Sequence, residues 1–407
     1  MTRRRLLIIL LLLILLSQIP FAYRRYRLGR LRTTVQQLAA QRVTSQNASD
    51  YVDYTGVIHV HTALGGHSQG TFSELIAAAR ANQLSFVIMT EHPQGDFDTS
   101  ALTLNGVHGG VLFVNGNEVV TGNGDRLLLI PGGPDAPATN SQTTKEVVEK
   151  QKASGGLAFA AYPSESQTWP SSGVSGVEVY NLFTNSRQYN RLITFFDGLW
   201  SYRSYPDLMF ANFFARPNDN LKRWDDALSA GGQKLVAIGG NDAHSNVGFG
   251  LGDASGKQLI GVKLDPYERS FRTVRTHVLI KKDKSLSRET LLEAIALGHC
   301  YVSFDIFSAA SGFTFGVENS DKIMGDEIPF AAGVVLSAAA PLPARFVLLK
   351  DGVAIDQKSG TSVQFNVTAA ATYRVEAYLD SLPAPAQGKP WIISNPIYLR
   401  PPTAPGA

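Results

Sequence analysis

Short apolar runs and helix-like segments alternate along the chain from about residue 51 onward. The runs at 57–60, 85–89 and 157–161 are almost continuously hydrophobic, and segments with helical spacing separate them. The sequence TFSE at 71–74 has the spacing of a capping box, which predicts a helix start. Because unbroken apolar strands are typical of sheets that are buried on both faces, the pattern predicts an α/β fold with a buried parallel sheet or barrel.

Helical periodicity ends near residue 305. Beyond it, short strand-like segments such as SVQFNVT and TYRVEAYL alternate with Gly, Pro and Asp turn residues. This pattern predicts a small Ig-like β-sandwich. We therefore expect an α/β domain over 51–305, a β-sandwich over 306–402 and a proline-rich tail at 403–407.

The N-terminal segment contains the apolar run LLIILLLLILL, from Leu6 to Leu16, with arginines on both sides. As a helix, residues 6–23 would be about 27 Å long, enough to cross the hydrocarbon core of a bilayer. Two interpretations remain open: an uncleaved single-pass transmembrane anchor, or a signal peptide, for which PFA at 20–22 is a poor cleavage site. We expect residues 1–23 to form this segment and 24–50 a polar stalk. The flanking arginines leave the orientation open, and we take the catalytic part to lie outside the cytoplasm.

Composition narrows the functional class only slightly. The 407 residues are 44% hydrophobic and 17% charged, which is typical of a folded protein. The net charge of +3 is small, and the arginines of the N-terminal segment supply much of it. No basic face remains to suggest nucleic acid as a partner. Cys300 is the only cysteine, so an intrachain disulfide is impossible.

Polar side chains with metal-binding chemistry recur where predicted strands end. They are His59, His61, His92, Glu118, Tyr162, Asp242 and His244. Side chains at i and i+2 of a strand point to the same side, so His59 and His61 can reach one point. The carboxyl ends of parallel strands in a barrel meet at one mouth. Imidazoles and carboxylates gathered there predict a site for zinc, manganese or iron, with room for two ions.

Other polar residues have structural interpretations beside the functional ones. His67 follows the first pair in a glycine-containing loop and is a third candidate imidazole. Glu91, next to His92, could orient an imidazole or a water. Glu165 and Glu178 lie near strand ends, where a turn or pairing role is equally open. We interpret four further residues as structural or buried: His108, His277, His299 and Cys300.

The motifs resemble those of the PHP (polymerase and histidinol phosphatase) superfamily. They are HVHT with a histidine six residues after the second one, TEH, GNE and GGNDAH. GVEVYN at 176–181 and the C-terminal segments YRVEAYL and PWIISNPIYL are similar to a branch that includes carbaryl-type ester hydrolases. The resemblance implies a distorted (β/α)7 barrel holding divalent ions, followed in this branch by a β-sandwich.

The resemblance also implies a ligand set and one departure from it. The implied metal ligands are His59, His61, His67, His92, Glu118, Asp242 and His244. Where the family has His-Pro after the fifth strand, this chain has Tyr162-Pro163. Tyrosine is a poor ligand at neutral pH because its pKa is near 10. We therefore expect one or two ions rather than three, with Tyr162 and Glu91 as catalytic candidates, Tyr162 by donating a hydrogen bond to a developing oxyanion.

These observations predict a metal-dependent hydrolase of a small-molecule ester, with a phosphoester favoured by the superfamily resemblance. A carboxylic ester or carbamate hydrolase is one alternative, and a membrane-tethered binding protein without turnover is the other. Arg187, Lys222 and Arg223 are candidates for phosphate contact. The loops at 181–188 and around Trp169 are candidates for shaping the pocket.

Overall fold

The computed structural model describes residues 2–43, 50–182, 184, 190–231, 233–246, 248–252 and 258–402. The described α-helices are α1 (Arg3–Gln41), α2 (Phe72–Ala81), α3 (Thr144–Ala153), α4 (Arg191–Ser201), α5 (Asn218–Gly231), α6 (Tyr267–Ser270) and α7 (Arg288–Leu297). Short 3-10 helices lie at Ala63–Gly65, Thr99–Ala101, Ala136–Ser141, Trp169–Ser171 and Leu208–Asn212.

The strands fall into an N-terminal and a C-terminal group. The first group is β1 (Tyr51–Val60), β2 (Phe86–Met89), β3 (Gly106–His108), β4 (Val111–Val114), β5 (Asn117–Val120), β6 (Arg126–Ile130), β7 (Leu157–Ala161), β8 (Gly176–Asn181), β9 (Val236–Ala243), β10 (Gly248–Gly252), β11 (Gln258–Lys263), β12 (Arg275–Lys281) and β13 (Cys300–Ser303). The second group is β14 (Thr314–Val317), β15 (Glu327–Pro329), β16 (Val335–Lys350), β17 (Val353–Asn366), β18 (Ala371–Tyr378), β19 (Pro390–Ser394) and β20 (Ile397–Arg400).

A large mixed sheet organises the N-terminal part. Strands β9, β1, β2 and β4 are neighbours and run parallel, and β7, β8 and β9 are also parallel neighbours. Strand β6 is antiparallel to both β5 and β7, and β12 is antiparallel to β1. A parallel bridge between Glu91 and Asn117 links the end of β2 to β5. Strands β10 and β11 form a separate antiparallel pair.

Two sequence expectations about these strands are wrong. The sheet is mixed rather than all parallel, since a short turn joins β5 directly to β6 and forces that pair to be antiparallel. The strand that was expected to end at Glu118 is broken into β4 and β5, so Glu118 lies inside β5. Gly116 lies at the break, where a Cβ would be 2.4 Å from the carbonyl oxygen of Met89. Glycine therefore permits the backbone to approach β2 closely.

Helix α2 begins as its sequence predicts. The Thr71 hydroxyl accepts a hydrogen bond from the Glu74 amide, and the Glu74 carboxylate accepts one from the Thr71 amide. The helix buries Leu75, Ala78 and Ala79 against Val57 and other side chains of β1 and β2. The capping box therefore fixes where this helix starts, and its apolar face covers one side of the strands that lead to the polar cluster.

The C-terminal strands are antiparallel neighbours apart from β15, which runs parallel to β20. They are continuous with the N-terminal sheet, because β19 pairs with β13. The side chain of Asn395 reaches farther, accepting a hydrogen bond from the Ala237 amide at 2.7 Å and donating to the carbonyl oxygens of Ala237 and Cys300. Strand β9, which carries Asp242, is thus held by a residue from the C-terminal part.

A buried ion-pair network also joins the two parts. Arg374 on β18 is 2% exposed and donates two hydrogen bonds to Asp225 on α5, at 2.9 and 2.7 Å. It also donates to Glu376, whose carboxylate in turn accepts hydrogen bonds from Arg216. Because every charge in this network has an opposite charge within hydrogen-bond distance, the burial is compensated.

Helix α1 combines an exposed apolar half with a docked half. Its large apolar side chains from Leu6 to Leu16 are exposed, and by length and composition the helix fits a membrane anchor or a signal sequence. Residues 24–41, within the segment predicted as a stalk, continue the same helix and bury Leu28, Leu31 and Leu38 against the rest of the protein. The apolar run and the docked half are therefore one continuous element.

Candidate metal centre

The polar cluster begins at an irregularity in β1. The pairing register of β1 shifts between Ile58 and Val60 against both β2 and β9, and His59 between them has a φ of 68°. Val57 and Val60 consequently pack in the same apolar cluster, although an unbroken strand would point them to opposite faces. His59 and His61 do approach one point, but a bulge rather than simple alternation brings them there.

Two more residues at the cluster share this unusual backbone conformation. Tyr162 has a φ of 49° and Asp242 a φ of 50°. Left-handed backbone in non-glycine residues costs about 1–3 kcal/mol each and is concentrated at functional sites. At this edge of the sheet, the positions of these side chains are therefore maintained at a cost in local stability.

Four buried side chains place donor atoms within 4.8 Å of one another: those of His59, His61, Glu118 and Asp242. The Glu118 Oε2 atom lies 3.1 Å from His59 Nε2 and 3.4 Å from His61 Nε2. The Asp242 Oδ1 atom lies 3.4 Å from both of these imidazole nitrogens. Two imidazole nitrogens and two carboxylates in such proximity form a set that divalent transition metals accept.

A second group shares His61 and adds His92 and His244, again with donor atoms within 4.8 Å. The rings of His92 and His244 both stack on His61, with centroids 4.7 and 4.5 Å away. Glu118 Oε2 lies 3.3 Å from His92 Nε2, so this oxygen stands between the two groups. The buried His, Glu and Asp side chains could therefore hold more than one metal ion.

Buried atoms without hydrogen bonds test whether a cation fits. Both ring nitrogens of His61 and the Oδ1 atom of Asp242 are buried and have no hydrogen-bond partner. An unsatisfied buried polar atom costs about 1–3 kcal/mol, and His61 Nε2 and Asp242 Oδ1, which lie 3.4 Å apart, are expensive to leave so. A metal ion would satisfy the His61 nitrogen that faces the carboxylates together with the aspartate oxygen, so the residues fit the group.

Burial and neighbouring charges set the protonation of the imidazoles. Burial lowers the pKa of His59, but the carboxylates of Glu178, Asp242 and Glu118 outweigh it and raise the pKa well above its ordinary value. Burial, reinforced by the charge of His61, lowers the pKa of His92 to about 4, and the same two causes lower that of His244 to about 4. His92 and His244 are therefore neutral at physiological pH, which is the form that binds metal.

Glu178 and Asn181, both on β8, orient the ligand side chains. The His59 Nδ1–H group donates to Glu178 Oε1 at 2.6 Å, which turns Nε2 toward Glu118 and Asp242. The Asn181 amide donates to both Glu178 oxygens and to Asp242 Oδ2, each at 3.2 Å. Carboxylates that hold a ligating imidazole in this way fix its tautomer and raise its basicity.

Gly240 makes room for the Glu178 carboxylate. A Cβ at this position would lie 1.5 Å from Glu178 Oε1. Gly239 and Gly240 both lie within β9, and the residue with a left-handed backbone is Asp242 itself. The glycine is needed for packing against a polar group and not for backbone freedom.

Glu91 faces away from the donor cluster. Its buried carboxylate accepts hydrogen bonds from the Thr62 amide at 3.0 Å, the Thr62 hydroxyl at 2.6 Å and the Thr103 hydroxyl at 3.1 Å. These contacts fix the segment that directly follows His61. Glu91 therefore influences the site by holding the backbone next to His61 in place.

Tyr162 and Arg126 complete one side of the cluster. The Tyr162 hydroxyl donates to Asp242 Oδ2 at 2.8 Å, and burial, reinforced by the nearby carboxylates, raises the pKa of this phenol. Arg126 donates to Glu118 Oε1 at 3.2 Å, and its guanidinium lies 5.7 Å from the centre of the Tyr162 ring. The side chain of Arg126 is 44% exposed, which gives the site a cation at its solvent side.

The remaining sequence candidates lie farther out. His67 is exposed and touches His92 edge-to-face at 4.9 Å, outside both donor groups of the described residues. Glu165 is exposed and Lys222 pairs with Asp226. Trp169, expected near the pocket, is wholly buried in the core, and Arg223 lies against its ring. Arg187 and most of the loop at 181–188 lie outside the described residues.

Three histidines lie away from the cluster. The Nε2 atom of His108 is hydrogen-bonded to the Asn105 carbonyl oxygen, and His299 pairs with Asp326. His277 is buried, with Nδ1 2.8 Å from Asp53 and Nε2 3.6 Å from Asp305. Burial opposes the charged form, but the two aspartates prevail and raise the pKa of His277 to about 9.

The sequence predicted Asn181 only as the start of a pocket-shaping loop, gave no sign of Arg126 and left Glu178 undecided. Asn181 ends a strand, as His61 and His92 were expected to do, and that position was the available signal. Arg126 begins β6 at the opposite end of a strand, so the strand-end rule could not find it. Its place beside Glu118 follows from the antiparallel pairing of β5 and β6.

Comparisons with known proteins gave structural similarities only. No protein-family model matches the chain, and no curated protein matches it. A two-domain protein from Bacteroides vulgatus ATCC 8482, described as containing a predicted PHP-like metal-dependent phosphoesterase, is similar with 14% identity and a TM-score of 0.40 over 87% of this chain and 98% of its own. PsfC from Pseudomonas syringae PB-5123 is similar with 12% identity and a TM-score of 0.39 over 62% of this chain and 91% of its own.

Proposed function

We propose that this chain is a metal-dependent hydrolase of ester bonds, most readily of a small phosphoester. The observation that carries the proposal is the convergence of four buried side chains, those of His59, His61, Glu118 and Asp242. Within this group, His61 Nε2 and Asp242 Oδ1 are buried and have no hydrogen-bond partner. Such a set is costly to maintain without a cation. The neutral imidazoles of His92 and His244 extend it, so that one or two ions are expected.

The donor groups would hold divalent zinc, manganese or iron, and an ion bound there would supply Lewis-acid chemistry and an activated water. Glu178 fixes the ring of His59, and Tyr162 and Asn181 fix the carboxylate of Asp242. These residues keep the donors in place before substrate arrives, which lowers the reorganisation required during reaction. His67, beside His92 at the exposed rim, is proposed as a further ligand or substrate contact.

Arg126 supports an anionic substrate. One of its guanidinium nitrogens donates a hydrogen bond to Glu118, while nearly half of the side chain faces solvent next to the cluster. A guanidinium offers several N–H groups in a fork that suits phosphate oxygens. We assign it the role of attracting and orienting the phosphoryl group.

The proposal includes the fold and location implied by the sequence. Residues 51–305 would form a distorted (β/α)7 barrel of the PHP type, and 306–402 an Ig-like β-sandwich. Residues 1–23 would anchor the chain in a membrane by a single span, with the catalytic part outside the cytoplasm. The resulting enzyme would act on a small molecule near the membrane surface.

A carboxylic ester or carbamate is the second candidate substrate. The scarcity of cations favours it: among the residues predicted to bind phosphate, Lys222 is engaged by Asp226 and Arg223 lies on the ring of Trp169. A neutral ester would need no basic side chain beyond the donor cluster. A binding protein without turnover is the other alternative. Tyr162, which stands where the resembled family has a histidine, is the feature that supports it.

One experiment separates these functions. The full-length chain and a His59→Ala/His61→Ala double variant are assayed for bound metal and for hydrolysis of aryl phosphates and aryl esters with Mn²⁺ or Zn²⁺, with His108→Ala as the control. Loss of metal and of aryl phosphate hydrolysis in the double variant alone supports the proposal. Ester hydrolysis without phosphate hydrolysis selects the second substrate, metal binding without turnover selects the binding protein, and equal activity in the double variant refutes the site.

A further inference from the structure

Helix α4 presents an apolar face to solvent. Leu192 is 65% exposed and Leu199 67% exposed, and Phe195 between them is exposed as well. The spacing of three and four residues places these side chains on one side of the helix. The one acidic residue of this helix, Asp197, is buried, so the described side chains of the face carry no charge.

The helix lies beside the end of the apolar run of α1. The rings of Phe196 and Phe21 are 5.1 Å apart, and the Trp200 indole donates to Gln18 at 3.0 Å. Arg24 donates from Nε to both carboxylate oxygens of Asp197 at 2.8 Å. These contacts hold α4 at the level of residues 18–24 of α1.

That level is the membrane interface if α1 crosses the bilayer. In the predicted span of residues 6–23, residues 18–23 lie within about 8 Å of its end, at a rise of 1.5 Å per residue, and Arg24 follows directly. The polar headgroup layer is about 5–8 Å thick on each side of the hydrocarbon core, and interfacial helices bury their apolar face about 5–10 Å into this region. Tryptophan and arginine, here Trp200 and Arg24, are typical of the same depth.

We propose that the apolar face of α4 inserts into the lipid interface next to α1 and gives the protein a second membrane contact. The occupant is the bilayer surface, because α4 packs beside the end of the exposed apolar run of α1, and Arg30, exposed about two turns beyond Tyr23, would lie among the headgroups. Anionic headgroups would strengthen the contact. The proposal rests on α1 spanning the membrane and is independent of the catalytic chemistry.

Site-directed labelling of the full-length chain tests this contact. Cysteine replaces Leu192, Leu199, Leu12 or Val353 one at a time and carries an environment-sensitive fluorophore in phosphatidylcholine–phosphatidylglycerol vesicles. Leu12 reports on the apolar run of α1, and Val353, 66% exposed on β17, matches Leu199 in exposure. Cys300 is buried, and burial raises the pKa of its thiol to about 12, so it does not compete for the label.

Quenching by lipids that carry the quencher at defined depths gives the result. The proposal expects deep quenching at Leu12, shallow quenching at both Leu192 and Leu199, and none at Val353. Quenching at Leu12 without quenching on α4 overturns it, as does shielding on α4 that grows with the protein-to-lipid ratio, which indicates a second copy of the chain. No quenching at Leu12 removes the anchor and this contact together, while the hydrolase assay is unaffected.

Discussion

The carboxylate of Glu178 is the sharpest test of how the metal centre is held. Glu178 is wholly buried and accepts a hydrogen bond from His59 Nδ1 at 2.6 Å. Among the described residues, no lysine or arginine pairs with it. Glu178→Gln keeps the shape and an acceptor oxygen but removes the charge. Glu178→Leu removes the acceptor as well, so the His59 ring loses the hydrogen bond that turns its Nε2 atom toward Glu118.

The expected magnitude follows from the role of such partners. Removing a residue that orients a ligating imidazole typically costs about 10–100-fold in metal affinity. We expect the Kd for Mn²⁺ to rise about tenfold, or about 1.4 kcal/mol, in Glu178→Gln. The loss in Glu178→Leu is expected near about 100-fold, because the tautomer and the ring orientation are both released.

Competition with a chelating dye measures these constants directly on the full-length protein. Glu165→Gln is the matched control, since Glu165 is also an acidic residue near a strand end but is exposed. Its Kd should equal that of the parent chain. Circular dichroism of each variant shows whether the fold is retained, so that a change in Kd reports on the site.

The reasoning fails on either of two results. A folded Glu178→Leu chain that binds Mn²⁺ as tightly as the parent chain would mean that His59 needs no orienting partner. Equal losses in Glu178→Gln and Glu165→Gln would mean that overall charge, and not the contact with His59, controls affinity.

Three further predictions concern stability. Gly240→Ala should destabilise the fold by about 1–3 kcal/mol and weaken metal binding, because the new Cβ would displace the carboxylate of Glu178. Asp225→Ala should cost about 3–5 kcal/mol by removing one of the two carboxylates that pair with the buried Arg374 guanidinium, whereas Asp226→Ala, on the same helix but exposed, should cost at most about 1 kcal/mol. The protonated form of His277 stabilises the fold fully below its unfolded pKa of about 6.5; this contribution, about 3 kcal/mol, should be lost as the pH rises from about 6.5 through about 9.

Chemical unfolding in detergent checks all three. Gly133→Ala is the control for Gly240→Ala, since a Cβ at Gly133 meets open space; equal shifts in the two would contradict the first prediction. Equal losses at Asp225 and Asp226 would contradict the second. For the third, His277→Gln should flatten the fall in stability between pH 6.5 and 9, and an unchanged slope would show that another group causes it.

The sequence was most informative where chemistry and local signals coincide. The motif around His59 and His61 identifies two members of the donor cluster, and the capping box predicts the start of α2, because both depend on residues close along the chain. The strand-end rule also names Asp242, although the structure places it within β9 rather than after it. Residue type and spacing are sufficient for such features.

Features set by strand pairing were out of reach. The bulge at His59 depends on the register of β1 against two neighbours at once, and the sequence carries no separate signal for it. The position of Arg126 depends on an antiparallel pair that the βα pattern argued against. Likewise, the need for Gly240 is visible only when the carboxylate of Glu178 is seen to occupy the space beside it.

The link from Asn395 to β9 affects how the protein is made. Asn395 follows Ala237 by 158 residues, yet it hydrogen-bonds both the amide and the carbonyl of that residue. At a synthesis rate of about 5–20 residues per second, the strand that carries Asp242 waits about 8–30 s for this partner. During that interval the side of Ala237 that Asn395 covers is open to incorrect pairing with other strands. The end of the sheet that carries Asp242 is thus finished late in translation, and a chaperone that shields β9 should raise the yield of correctly folded chains.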